Sequence, residues 1–211
     1  MNQIKNIIFD LGGVLLDLDF TKPPEAFKKL GFPQFESMFS QFKVDQLFEK
    51  LEKGMIDERE FYTIMLKVGK EGTTPDQIKF AWNSMLLDFR TESLEYLKKL
   101  APEFNLFLLS NTNSIHLEAV NSILKKQTGL SSLNSFFTKS YYSHFIGLRK
   151  PDNNIFEFVA KDAGIQANET LFIDDTKDNI YTAQRLGFKT HLLLPGEKIE
   201  KLDLIKISSL F

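Results

Sequence analysis

The chain has 211 residues, 43% hydrophobic and 26% charged, the balance of an ordinary globular protein. That length buries a sizeable core and suits one domain, or one domain carrying an insert. A net charge of −2 gives no electrostatic footprint for nucleic acid, and the lack of cysteine excludes disulfides and thiolate chemistry. His116, His144 and His191 are scattered without metal-ligand spacing and read as packed or surface residues. The opening Met1-Asn2-Gln3-Ile4-Lys5-Asn6 is not a signal peptide. The apolar stretch that follows is broken by Asp10, Asp17 and Asp19 and is too short to span a bilayer. The expectation is a cytoplasmic protein with no membrane partner.

Ile4–Phe9 is an apolar, β-branched run that stops at Asp10-Leu11-Gly12-Gly13, as a strand does at a tight turn. Such an ending leaves the Asp10 carboxylate at the carboxyl end of a strand, where open α/β sheets bind ligands. Many strands also end this way only because Gly supplies a turn with φ > 0. Asp17 and Asp19 read as hinge or structural residues. From Phe20 to Phe89 no strand is expected. Phe35, Met38, Phe39 and Phe42 recur at helical spacing, as do Phe61, Ile64, Met65 and Val68. Thr74-Pro75-Asp76-Gln77 carries an N-cap, a Pro at the first helical position and an acid in the first turn. Residues 20–89 therefore read as a helical insert, its phenylalanines forming a core or, in a few cases, facing a ligand.

Beyond the insert, strands and helices alternate. A helix is expected over Thr91–Leu100, a strand over Leu106–Leu109, another over Thr138–Tyr141, and a helix over Asn153–Ala163. Then come a strand over Thr170–Ile173, a helix over Asp178–Leu186 closed by Gly187, and a strand over Lys189–Leu193. This is the pattern of an α/β protein with a doubly wound parallel sheet, built from residues 1–19 and 90–211.

Three apolar runs end in polar groups: Asp10, Ser110-Asn111-Thr112-Asn113, and Asp174-Asp175. The loop Gly147-Leu148-Arg149-Lys150-Pro151-Asp152 adds a cation. Each has a plain structural account in isolation: a turn, a solvated lysine, a helix N-cap with a first-turn acid. In order, as acid, hydroxyl, lysine and acid pair, they resemble the haloacid dehalogenase superfamily, most of whose members are magnesium-dependent phosphohydrolases. The likeness covers nearly the whole chain. It implies a Rossmann-like core and a mobile helical cap, inserted after the first strand, that sets the substrate.

The resemblance also implies roles. Asp10 is the nucleophile, forming an aspartyl phosphate and dividing one hard hydrolysis into two easier steps. Attack by an anion on a phosphate dianion needs charge screening, hence Mg2+ as cofactor. Asp10, the backbone carbonyl of Gly12 and Asp175 are its expected oxygen ligands. Asp174 acts through a water, and Asn179 orients the group. Ser110 and backbone N–H groups including that of Asn111 hold phosphoryl oxygens. Lys150 neutralises the phosphate and the nucleophile as a compact charge. Arg149 receives no role. The expected partner is a small phosphorylated metabolite.

One position departs from the superfamily pattern. Typical phosphatases there carry a second Asp two residues after the nucleophile as general acid and base; here it is Gly12. Such help is typically worth about 10²–10⁴-fold. Three readings compete. The substrate has an easily expelled leaving group, such as a sugar 1-phosphate, and Asp10-Leu11-Gly12-Gly13-Val14 is similar to the first motif of sugar phosphatases with Asp-x-Gly. Alternatively a cap residue supplies the proton, or the protein binds a phosphorylated ligand without turnover. A metal-independent dehalogenase also lacks the second Asp, but it gains nothing from the clustered acids Asp174-Asp175. The preferred reading is magnesium-dependent hydrolysis of a small phosphomonoester, a sugar phosphate.

Overall fold

The computed structural model describes residues 3–32, 39–40, 43–44, 46–204 and 206. In chain order the main elements are β1 (Asn6–Phe9), β2 (Leu16–Leu18), α1 (Lys22–Lys29), β3 (Phe39–Ser40), β4 (Lys43–Val44), α2 (Gln46–Glu52), α3 (Glu58–Leu66), α4 (Pro75–Asn83) and β5 (Leu86–Phe89). They continue as α5 (Thr91–Leu100), β6 (Asn105–Ser110), α6 (Ser114–Thr128), β7 (Lys139–Tyr142), α7 (Ser143–Ile146), α8 (Asn153–Ala163), β8 (Thr170–Asp174), α9 (Lys177–Arg185) and β9 (Lys189–Leu192).

The expected sheet is present. Five parallel strands lie in the order β7-β6-β1-β8-β9, with β1 at the centre. Alternate residues leave its two faces. Ile7, Phe9, Leu106, Leu108, Leu171 and Ile173 enter one core, while Ile8, Phe107, Leu109 and Phe172 enter the other. Burial of both faces explains why these strands read as unbroken apolar runs. Phe9 lies level with Leu108 and Ile173, so Asp10, Ser110 and Asp174 reach the same edge. There the strand order reverses on either side of β1, the crevice where open sheets bind ligands.

The segment between β2 and β5 has its own apolar cluster. Phe27, Phe48, Phe61, Ile78 and Trp82 are all buried in it. Thr74 and Gln77 complete the capping box at the start of α4. Phe35, Met38 and Phe42 lie outside the described residues, and Phe39 sits in a two-residue strand rather than a helix. Val68 falls beyond the end of α3 and is exposed. The expectation of no strand over residues 20–89 fails at β5, which pairs antiparallel with β2, and at the short β3–β4 pair. Only Ser84 and Met85 separate β5 from α4, so no turn residue marks the change. Asp17 has the structural role expected of it, accepting from Arg90 Nε at 2.7 Å, while Arg90 Nη1 donates to the Val14 carbonyl at 3.0 Å.

Helix α6 joins the two cores. Ile115 belongs to the insert's cluster, and His116 stacks on Trp82 with centroids 4.8 Å apart and its Nε2 3.2 Å from the Trp82 carbonyl oxygen. Burial pulls the His116 imidazole down to about 4. The unfolded chain therefore takes up this proton near 6.5 and the folded one only near 4, so stability falls as pH drops through that window. We expect His116→Gln to remove up to about 3 kcal/mol of the loss between pH 7 and pH 4. Denaturant titrations of both proteins at each pH check this; equal losses refute it.

Candidate active site

Lys150 anchors the site. Its Nζ donates to Asp10 Oδ1 at 2.7 Å and to Asp174 Oδ2 at 2.7 Å. The lysine side chain is 1% exposed and that of Asp174 0%. The loop carrying it is fixed by Asn111, whose Nδ2 donates to the Lys150 carbonyl at 2.8 Å and whose Oδ1 accepts from its N–H at 2.9 Å. The Asn111 side chain thus positions Lys150 by donating to and accepting from its backbone.

Asp174 is saturated by protein donors. Besides Lys150, it accepts from the Thr176 N–H at 2.8 Å and from Asn179 Nδ2 at 3.0 Å on both oxygens. Asp175 is more open, and its Oδ1 receives a 3.3 Å bond from Thr176 Oγ1. Carboxylate oxygens of Asp10, Asp174 and Asp175 lie within 4.8 Å of one another. Burial pushes the Asp10 carboxyl up to about 7; Lys150 opposes this, while Asp174 and Asp175 add to it. Asp175 is raised too, by burial and then by Asp174. Three acids facing one lysine leave negative charge uncompensated, and a set of oxygen donors alone suits a hard divalent cation. With Asp174 occupied by protein donors, Asp10 and Asp175 carry the carboxylate oxygens available to hold one.

The turn after β1 explains its two glycines differently. Gly13 has φ +72°, and a Cβ there would run into the Asp175 carboxylate. Gly12 has no such restriction. A Cβ on it would come 2.6 Å from Leu18 Cδ1, the far end of a flexible side chain.

Above these residues lies a cavity of about 510 Å³ lined by Asp10, Gly12, Ser110, Lys150 and Asp175 from the core. Leu18, Phe20, Glu52, Met85 and Leu86 close it from the other side. All the expected site residues thus converge, with Asp174 buried behind them. Two charged groups that sequence reasoning left without a role also face the cavity: Arg149 Nε donates to Glu52 Oε2 at 3.0 Å. Nothing in the sequence links a pair so far apart; the position of Arg149 beside Lys150 was the one available signal.

Known proteins share this fold. A model of the haloacid dehalogenase-like hydrolases matches residues 4–187. The chain belongs to this family. It is 34% identical to D-ribitol-5-phosphate phosphatase of Bacteroides thetaiotaomicron over 89% of its own length and 91% of the relative's. A HAD family enzyme of the same organism, an aspartate-to-alanine variant in complex with magnesium and inorganic phosphate, superposes with a TM-score of 0.87 at 39% identity, covering 92% of this chain and 96% of that one. A HAD-like family hydrolase from Porphyromonas gingivalis superposes with a TM-score of 0.85 at 37% identity, covering 99% and 98%. The resemblance read from the four motifs is therefore correct, and so is the doubly wound fold.

Proposed function

We propose that this hydrolase is a magnesium-dependent phosphatase of a small sugar or sugar-alcohol phosphate, with Asp10 as nucleophile. The observation that carries the reading is Lys150, buried between Asp10 and Asp174 with Asp175 alongside. Lys150 holds the Asp10 carboxylate and offsets its charge as it approaches phosphorus. The bond to the leaving oxygen breaks as the aspartyl phosphate forms, and water then cleaves that intermediate to release phosphate and restore Asp10. Ser110 and the backbone at Asn111 hold phosphoryl oxygens at the strand ends. A bound magnesium ion would supply screening of the negative charge that nucleophile and phosphate bring together. Asp10, the Gly12 carbonyl and Asp175 would hold it, and Asp174 would orient the group through its fixed hydrogen bonds.

The substrate class rests on the cavity and on the likeness to D-ribitol-5-phosphate phosphatase. Its volume lies in the range that takes a small metabolite. On the insert's side of the cavity, Glu52 and Arg149 add a charged pair to a largely apolar wall. The insert between β2 and β5 acts as the cap that selects the rest of the substrate, with its boundary in those two strands. A cytoplasmic setting suits this reading, since membranes retain phosphorylated metabolites. A metal-independent dehalogenase fits less well, because Asp175 would remain an uncompensated acid.

The test is hydrolysis of a panel of sugar and sugar-alcohol phosphates by the purified protein, with and without magnesium. Chelation should abolish turnover. Asp175→Ala should raise the magnesium concentration for half-activity by about 10-fold or more, and more than Asp174→Ala does, since orienting groups act on the metal indirectly. Undiminished activity after chelation would sink the reading.

A further inference from the structure

The leaving oxygen of a primary-alcohol phosphate is basic, and the position that would usually protonate it is Gly12. Among the described residues, Asp10, Glu49, Glu52, Asp175 and Asp178 are the carboxylates that line the cavity. Asp10 and Asp175 belong to the cation-binding group. Glu49 is spent on Lys53, which donates to it at 2.7 Å and holds it ionised. Asp178 is exposed on the first turn of α9. His116 also lines the cavity, but burial leaves it neutral at physiological pH, with no proton to give.

Glu52 differs from all of these. It ends α2, with its side chain only 20% exposed, and Arg149 holds Oε2 at 3.0 Å. Its Oε1 makes no hydrogen bond among the described residues and is the oxygen left to meet a ligand. Arg149 directly precedes Lys150, whose ammonium touches Asp10, so the Glu52 head group is tied to the loop that holds the nucleophile. Burial raises the Glu52 carboxyl above the usual range, against the pull of Arg149, which favours a form able to donate.

We propose that Glu52, reaching in from the insert, is the catalytic acid and base that Gly12 cannot be, an inference that rests on the phosphatase reading above. As Asp10 bonds to phosphorus and the ester P–O bond breaks, the proton on Glu52 Oε1 passes to the leaving oxygen, giving the free alcohol. Arg149 stabilises the carboxylate that results. In the second step Glu52 takes a proton from water, the hydroxide oxygen bonds to phosphorus, and the Asp10–phosphorus bond breaks. Phosphate leaves, Asp10 is again a carboxylate and Glu52 again an acid. The proton donor is therefore in place only while the insert sits on the core.

Glu52→Gln keeps the shape and the acceptor for Arg149 but carries no transferable proton. With saturating magnesium, its kcat/KM, which reports the first step and not the shared hydrolysis of the aspartyl phosphate, should fall about 10²-fold on D-ribitol 5-phosphate, while on 4-nitrophenyl phosphate, whose leaving group needs no proton, it should fall less than about 3-fold. The basic limb of the kcat/KM–pH profile on the alkyl ester should vanish with it. Equal losses of kcat/KM on both esters, or no change, overturn the proposal. Should the variant not fold, wild-type rates across aryl and alkyl phosphates decide: a shallow dependence on leaving-group acidity supports a working acid, and a steep one overturns it. Turnover of neither ester by the wild type would overturn the phosphatase reading itself, which the failure of Glu52 alone leaves standing.

Discussion

Asp10→Asn should abolish phosphatase turnover, by about 10⁴-fold or more, as removal of a nucleophile does. The amide keeps the size of the carboxylate, but it neither attacks phosphorus at a useful rate nor ligates a hard cation well. The fold should survive. Lys150 keeps its 2.7 Å bond to Asp174, and one of three crowded acids is removed. Because burial and its acidic neighbours raise the Asp10 carboxyl to about 7, its ionised form is disfavoured in the folded protein. That group costs stability as pH rises from 3.8 to about 7, since the folded state binds the proton longer than the unfolded state. Metal-free Asp10→Asn should therefore unfold at the same temperature as the wild type or higher at pH 8. Near-normal turnover in a folded sample would refute the nucleophile assignment; a marked loss of stability would refute the crowding argument.

Much of this site is readable in the sequence because local patterns write it. A strand buried on both faces has an apolar run with a sharp polar end, so Asp10, just after β1, and Ser110 and Asp174, which end β6 and β8, stand out. Helices α5 and α8 begin and end at their expected residues, and the Thr74 cap lies where Pro75 and Gln77 place it. What escapes the sequence depends on distant partners. Strand β5 owes its form to β2, some 70 residues earlier in the chain. The Asn111 side chain serves the backbone of Lys150, 39 residues on. Glu52 and Arg149 are 97 residues apart and meet only because α2 is folded back over the core. The turn at Gly12 and Gly13 shows the same limit: the sequence offers two glycines, and only the fold shows that the second is the one required by φ and by Asp175.

Lys150→Met should produce the largest loss of stability of any single change in the site. Methionine fills a similar volume, so the effect isolates the charge. Its loss strands Asp10 and the fully buried Asp174 without their shared cation. Removing one partner of a buried ion pair typically costs about 3–5 kcal/mol, because the remaining charge stays desolvated. For a chain of this length that is a fall in Tm on the order of 10 °C. The Thr176 N–H and Asn179 continue to hold Asp174, so the damage should centre on Asp10 and the approach of Asp175. Magnesium should recover part of the loss, since a divalent cation among the three carboxylates replaces the missing charge, and stabilisation by magnesium should be larger in the variant than in the wild type. The deficit should also shrink as pH falls. Without Lys150, the force that lowers the Asp10 carboxyl is gone, so its pKa rises further and the folded variant binds a proton that relieves the repulsion. Thermal unfolding at pH 5 and pH 8, with and without magnesium, measures each part. A loss below about 1 kcal/mol at pH 8 in chelator, the size of an exposed ion pair, would mean that the three acids are already relieved by water and that Lys150 is not what holds them together.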